Sequence, residues 1–289
     1  MLKQIIFFLI FFALNAEAFL LQEEVTPLSS GRLSWVQRNP EADQTIIFIP
    51  ANSTSKRIFR KQLTSSFFDQ RLIAVDLPGH GASENALNPS FTYSFEGYAA
   101  SLIEFIEMLH LKTKPVLCGW SLGGHVAIEI LRLRPDLVAG LFLTGTPPID
   151  LTPEGFNAGF KPFLGCELMS KDHFTKEDAV RFISLLWPSY ESFMVDDAER
   201  TDGKARSLMI AQALSGKRIS QRQTIENTLI PLAFVIGTAD EGINGDYIKG
   251  LAFKKAPEIH EISAGHDTIW GAADDFNERL NTFVRKIYG

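Results

Sequence analysis

Three residues of this chain have the types, the order and the settings for nucleophilic catalysis. Ser121 is the centre of Gly119-Trp120-Ser121-Leu122-Gly123, a Gly-x-Ser-x-Gly pattern. A serine alcohol is a weak nucleophile. It needs a general base within hydrogen-bond reach, and the base needs an acid to fix its tautomer. Asp240 ends Ile236-Gly237-Thr238-Ala239-Asp240, and His266 ends Ser263-Ala264-Gly265-His266. Serine, acid and histidine in that chain order suit a nucleophile that sits on a sharp strand-to-helix turn. Glu241 is the rival acid beside Asp240. The oxyanion formed on attack needs two backbone N–H donors. Leu122, directly after the nucleophile, is one candidate, and Asn52, in the loop after Ile49, is the other.

These residues need rigid elements behind them. Pro115 to Cys118 is an apolar run that enters the Ser121 turn, and His125 to Leu131 leaves it with helical spacing. Gly119 and Gly123 let that strand and helix pass close to the serine. Continuous apolar runs at Thr45–Ile49, Leu72–Asp76, Ala139–Thr144 and Pro231–Ile236 read as strands buried on both faces, and Ile259–Ser263 reads as a further strand. Leu33–Arg38 alternates like an edge strand, to be paired with part of residues 19–27. Helical spacing begins near Lys56. It recurs at Phe95, Tyr98, Leu102, Phe105 and Leu109, and again at Phe276, Leu280, Phe283, Val284 and Ile287, with Asp274 as the expected N-cap. Strands alternating with helices predict an α/β fold, a mostly parallel sheet flanked by helices. The alternation lapses over residues 149–228, which read as an inserted helical cap between core segments 19–148 and 229–289.

The rest of the sequence narrows the class. A formal net charge of −6 with no long run of one sign argues against a nucleic-acid partner and a polybasic membrane surface. Lys3 precedes an unbroken apolar run, Ile5–Leu14, and Ala16-Glu17-Ala18 then offers an Ala-x-Ala site. Residues 1–18 therefore read as a signal peptide cleaved after Ala18, with export and no stable membrane association afterwards. The two cysteines, Cys118 and Cys166, read as free thiols. His80 reads as structural, His125 as packed, and His110, His173 and His260 as superficial. No Cys/His cluster has metal-ligand spacing, and no metal or other cofactor is expected. Asn52-Ser53-Thr54 matches a glycosylation pattern, but its loop should face the nucleophile.

Asp76-Leu77-Pro78-Gly79-His80-Gly81-Ala82-Ser83, Gly119 to Gly124, Gly237 to Asp240 and Gly265-His266 together resemble the α/β-hydrolase superfamily. The resemblance covers nearly everything after residue 18. It implies an α/β-hydrolase fold with a mostly parallel sheet of the eight-stranded type. Tyr93 to Ala99, Thr144 to Pro148, Arg200 to Arg206 and Gln221-Arg222 are further similar to the α/β-hydrolase type of N-acyl-homoserine lactonase. That likeness implies metal-free opening of a lactone. Ser121, Asp240 and His266 would form the triad, with Asn52 and Leu122 as oxyanion donors. The aromatic residues Trp120, Phe156, Phe160, Trp187 and Tyr190 would line an acyl-chain pocket. Two departures stand out: Pro50-Ala51 replaces the usual His-Gly, and Asp267-Thr268-Ile269-Trp270 follows the histidine.

The partner expected is thus a small ester or lactone with an acyl chain, an N-acyl-homoserine lactone among them. The alternatives are a general carboxylesterase, a methyl esterase acting on a carrier-protein-bound acyl chain, and a hydrolase-fold binding protein without catalysis. A carrier-protein enzyme needs a basic cap, whereas residues 149–228 hold ten Lys/Arg against twelve Asp/Glu. Lys204, Arg206, Lys217, Arg218 and Arg222 are the cations that would have to cluster.

Overall fold

The protein is described by a computed structural model, which places residues 21–216 and 219–289. The expected signal segment lies outside the described residues. Eight strands form one sheet: β1 (Gln22–Leu28), β2 (Gly31–Arg38), β3 (Thr45–Ile49), β4 (Arg71–Val75), β5 (Val116–Trp120), β6 (Gly140–Thr144), β7 (Leu232–Gly237) and β8 (Glu258–Ile262). Their spatial order is β1-β2-β4-β3-β5-β6-β7-β8. β1 and β2 form an antiparallel hairpin, and β2 pairs antiparallel with β4. From β4 to β8 every pairing is parallel.

The central strands are apolar throughout because both faces are covered. In β3, Ile47 and Ile49 enter one core while Ile46 and Phe48 enter the other. Helix α1 (Phe95–Met108) and helix α2 (Leu122–Leu133) close the first core with Tyr98, Leu102, Phe105, Val126 and Ile130. Each fully buried side chain of this size contributes roughly 1.5–3 kcal/mol.

Between β6 and β7 the chain leaves the sheet. It forms α3 (Pro153–Gly159), a 3-10 turn at Cys166–Ser170, α4 (Lys176–Leu186), α5 (Ser192–Arg200), α6 (Gly203–Ala213) and α7 (Gln221–Asn227). Capping residues start several of them: Thr152 for α3, Thr175 with a full capping box for α4, and Ser220 for α7. The ends of this excursion meet at a neck, where Leu151 N donates to Ile219 O and Gln221 N to Ile149 O.

The last helix, α8 (Ala273–Tyr288), closes the second core with Phe276, Leu280, Phe283 and Val284. Asp274 is not its N-cap. The short helix Thr268–Gly271 leads almost directly into it, so Ala272 takes that position and Asp274 falls inside the first turn. Near Lys56 the chain makes a 3-10 turn, Lys56–Phe59, before one α-helical turn, Arg60–Leu63.

Candidate active site

Ser121 is the hinge between β5 and α2. Its φ is 52° and its ψ −116°, a conformation a residue with a side chain rarely adopts. The surroundings hold it there. Ser121 N donates to Thr144 O at 2.9 Å, and Gly124 N and Thr146 Oγ1 donate to Ser121 O, each at 2.9 Å. Glycine is required at both flanks. A Cβ on Gly119 would stand 2.5 Å from Gly124 Cα, and one on Gly123 would stand 2.0 Å from Ile49 O.

Asp240 and His266 are brought together by the ends of β7 and β8. Thr238 N donates to Ile262 O and Ala239 N to Ala264 O, both at 2.9 Å. His266 Nδ1 lies 2.7 Å from Asp240 Oδ2. The other carboxylate oxygen accepts the N–H groups of Gly242 and Ile243, at 3.0 and 3.2 Å. Trp120 Nε1 donates to His266 O at 2.9 Å, which ties the histidine to the strand that carries the serine. Gly145, at φ 60°, lies beneath the imidazole; a Cβ there would sit 2.7 Å from its Cε1.

The electrostatics follow from burial and pairing. Burial opposes the charged form of Asp240, but the His266 charge and hydrogen bond and the two N–H donors prevail, so its carboxyl stays below its ordinary value. Burial likewise opposes an imidazolium at His266. The Asp240 charge and hydrogen bond outweigh that, and its pKa is raised. The pair can therefore hold an oriented imidazole that accepts a proton. Glu241, by contrast, is exposed and no hydrogen bond joins it to His266.

Ser121, Asp240 and His266 all line one cavity of about 380 Å³, with Ala51 and Asn52. Its other walls are mainly apolar, including Phe160, Phe163, Met169, Phe182 and Leu186. Of the five aromatic residues expected to line a pocket, only Phe160 does so here. Phe156 lines an adjoining cavity. Trp120 and Trp187 are fully buried and pack edge to face at 5.2 Å, so they support the cavity from behind. Tyr190 is 40 % exposed and stands outside it. Phe163, Phe182 and Leu186 belong to the large apolar residues of segment 149–228, whereas Met169 carries no signal of its own, and helical spacing does not show which apolar side chain faces a void.

The loop after β3 is the most heavily braced segment of the site. Asn52 Nδ2 donates to Met169 O at 3.1 Å, and Ser53, at φ 60°, donates from Oγ to Asn52 Oδ1 at 3.2 Å. Arg206, only 1 % exposed, reaches Ser53 Oγ at 3.3 Å and Lys171 O at 2.7 Å, and its guanidinium lies 3.8 Å from the Phe174 ring centroid. Ser55 Oγ donates to Asp197 Oδ2 at 2.5 Å, and Arg57 pairs with the same carboxylate. Behind them, Lys56 Nζ pairs with buried Asp76 at 2.8 Å. Ser53 and Thr54 are buried, as a loop facing inward requires.

The other expected residues fall as follows. His80 is buried, with Nδ1 3.1 Å from Pro78 O, and burial pushes its pKa down to about 4. His125 is buried against Phe95 and Gln221, and burial pushes it down to about 4 as well. His110 and His173 are exposed. His260 is not superficial: its side chain is mostly buried between the Phe142 ring and Arg279. β8 is an edge strand, but α8 covers the face from which His260 projects. Cys118 and Cys166 are both free, and burial pushes the Cys118 thiol far up.

Comparison with known proteins bears on the fold. The alpha/beta hydrolase family pattern matches residues 46–279. The chain is 37 % identical over 102 residues to a pimeloyl-[acyl-carrier protein] methyl ester esterase of Nitrosospira multiformis, which is 35 % of this chain and 37 % of that protein. It is 27 % identical over 238 residues to an acetyltransferase component of the acetoin cleaving system of Pseudomonas putida, 75 % of this chain and 57 % of that protein. These matches thus span from about a third to just over half of the length of the relatives. Among solved structures, a variant of the N-acyl homoserine lactonase AidH complexed with N-hexanoyl homoserine superposes with a TM-score of 0.87. It is 31 % identical, over 93 % of this chain and 98 % of that one. An esterase of Thermogutta terrifontis, 16 % identical with a TM-score of 0.74 over 93 % of this chain and all of its own, shares the fold.

Proposed function

This chain belongs to the alpha/beta hydrolase family, and from that premise we propose that it is a serine hydrolase that cleaves a carboxylic ester or lactone bearing an acyl chain. One observation carries the reading. A strained serine opens into the same apolar cavity as a histidine whose Nδ1 is 2.7 Å from a buried carboxylate. Ser121 Oγ attacks the substrate carbonyl carbon while His266 Nε2 takes its proton. The N–H groups of Leu122 and Asn52 hold the oxyanion. Asp240 keeps the imidazole in the tautomer that accepts at Nε2 and stabilises the imidazolium. His266 then returns the proton to the leaving oxygen, and water, deprotonated by His266, releases the acid from Ser121. In a lactone the leaving oxygen stays tethered to the acyl part.

Within this class, N-acyl-homoserine lactones are the leading substrates, supported by likeness to the lactonase over nearly the full length of both chains. The second reading is a methyl esterase of carrier-bound acyl chains, favoured by the Nitrosospira relative. The cap gives it little support. Arg206 is buried and Arg222 is paired with Glu226, so neither offers a free charge to an acidic partner. Lys217 and Arg218 lie outside the described residues.

The decisive experiment is a hydrolysis panel. N-acyl-homoserine lactones, p-nitrophenyl esters of matched chain length and a carrier-bound methyl ester are compared, alongside labelling by a fluorophosphonate. Turnover of lactones with Ser121-dependent labelling is expected. Ester turnover with untouched lactones overturns the lactonase assignment, and labelling that survives Ser121→Ala overturns the serine mechanism. Ser121→Ala should lower kcat by a factor on the order of 10⁴ or more.

A further inference from the structure

We infer that the site carries a second chamber for the far end of a long alkyl chain, so that the substrate is a long-chain rather than a short-chain acyl compound. The inference rests on the ester and lactone reading of Ser121. A cavity of about 240 Å³ adjoins the one that holds Ser121 and His266, and the two share Phe160, Phe163 and Met169 as walls. Beyond that partition the lining is again apolar, with Phe156, Ile210 and Leu214. Its polar residues, Asn157, Lys161, Glu167 and Ser170, are all exposed and so form an outer rim rather than a floor. A chamber of this composition offers no buried charge or hydrogen-bonding group to a polar substrate, and an alkyl chain is the chemistry that fills it.

The partition is built to yield without disturbing the reacting groups. Its backbone is fixed: Lys161 N donates to Gly242 O at 2.8 Å, Phe160 N to Phe156 O at 2.9 Å, and Met169 O accepts from Asn52. Phe160 is held by stacking on Phe156, with centroids 4.5 Å apart. Met169 is an unbranched, adaptable side chain, and Phe163 packs over the bare backbone of Gly242. The rival course for a long chain is outward past Leu164, 75 % exposed. That course leaves the chain tail in water and gains nothing from added methylenes.

The test uses butanoyl, octanoyl and dodecanoyl members of whichever series, lactone or p-nitrophenyl ester, the enzyme hydrolyses faster. Ile210→Trp fills the second chamber from α6 and leaves Ser121, Asp240, His266 and the Asn52 loop intact. In the wild type, kcat/KM should rise by about fourfold for each methylene that enters apolar space, up to dodecanoyl. In Ile210→Trp, butanoyl turnover should stay within about twofold while dodecanoyl turnover falls about tenfold or more. An independent handle is Cys166, half-buried in the second chamber, since Cys118 is buried and unreactive. N-ethylmaleimide should reproduce the dodecanoyl loss in the wild type and not in Cys166→Ser. Loss that is equal at all chain lengths, or dodecanoyl turnover untouched by both the tryptophan and the labelled thiol, overturns the chamber while butanoyl hydrolysis keeps the ester reading standing. If no member is hydrolysed and no fluorophosphonate labels Ser121, the ester reading itself has failed and the chamber falls with it.

Discussion

In the proposed mechanism His266 is a poor base without Asp240, and that dependence gives the sharpest predictions at the scale of single residues. Activity needs the neutral imidazole, so kcat/KM should rise with pH as His266 loses its proton. Because the Asp240 charge and hydrogen bond raise the His266 pKa, the midpoint of that rise should lie above the ordinary histidine value of about 6.5. Asp240→Asn removes the charge. It should lower kcat by about 10³–10⁴-fold and move the residual midpoint downward, which a pH–rate profile measures directly. An unmoved midpoint would mean that another carboxylate supports the histidine. Glu241→Gln should leave both quantities nearly unchanged, since Glu241 is exposed and the oxygens of Asp240 are the ones engaged. The identities of Ser121, Asp240 and His266 as candidates were legible in the sequence. Each lies within four residues of the end of a strand, and Gly119, Gly123 and Gly237 mark where the backbone must crowd.

At the scale of elements, the loop from Pro50 to Arg57 is the piece on which the others converge. The sequence pointed there through Asn52 as a candidate oxyanion donor and through the unusual Pro50-Ala51. The structure adds that this loop is tied on one side to the cap, by Met169, Arg206 and Asp197, and on the other to β4, by the Lys56–Asp76 pair. Asp76 also accepts the N–H groups of Lys56 and Ala82, at 2.6 and 2.8 Å. Asp76→Ala would leave Lys56, itself only 5 % exposed, as a buried unpaired charge. The expected cost is about 3–5 kcal/mol, measured by denaturant unfolding. Replacing both residues by apolar ones, Lys56→Met with Asp76→Leu, should cost less than Asp76→Ala alone. A cost for Asp76→Ala below about 1 kcal/mol would show that the pair is not what braces the loop. None of these ties is visible as a sequence pattern, because the partners are separated by 20 to more than 100 positions. The error at Asp274 has the opposite character. Its residue type is right for an N-cap, but the preceding short helix leaves it no cap position to fill.

For the whole molecule, the two cores on either side of the sheet are joined by a helical excursion whose neck lies at Asp150 and Ser220. We propose in addition that the protein is exported, on the strength of Lys3, Ile5–Leu14 and Ala16-Glu17-Ala18. Mass spectrometry of protein recovered outside the cytoplasm should find Phe19 as the first residue, and recovery from the cytoplasm alone, with Met1 retained, would overturn this. The sequence by itself determined the fold class, the strand–turn–helix around Ser121 and the order of serine, acid and histidine. Those follow from local causes: apolar runs long enough for buried strands, glycines where backbones touch, and polar residues just past strand ends. Only the tertiary structure decided which apolar side chains face the cavity, replacing Trp120, Trp187 and Tyr190 with Phe163, Met169, Phe182 and Leu186. It alone placed Arg206 against the loop of Asn52. Helical periodicity says that a face is apolar but not whether that face meets another side chain or an empty space, and that is settled only when distant segments pack.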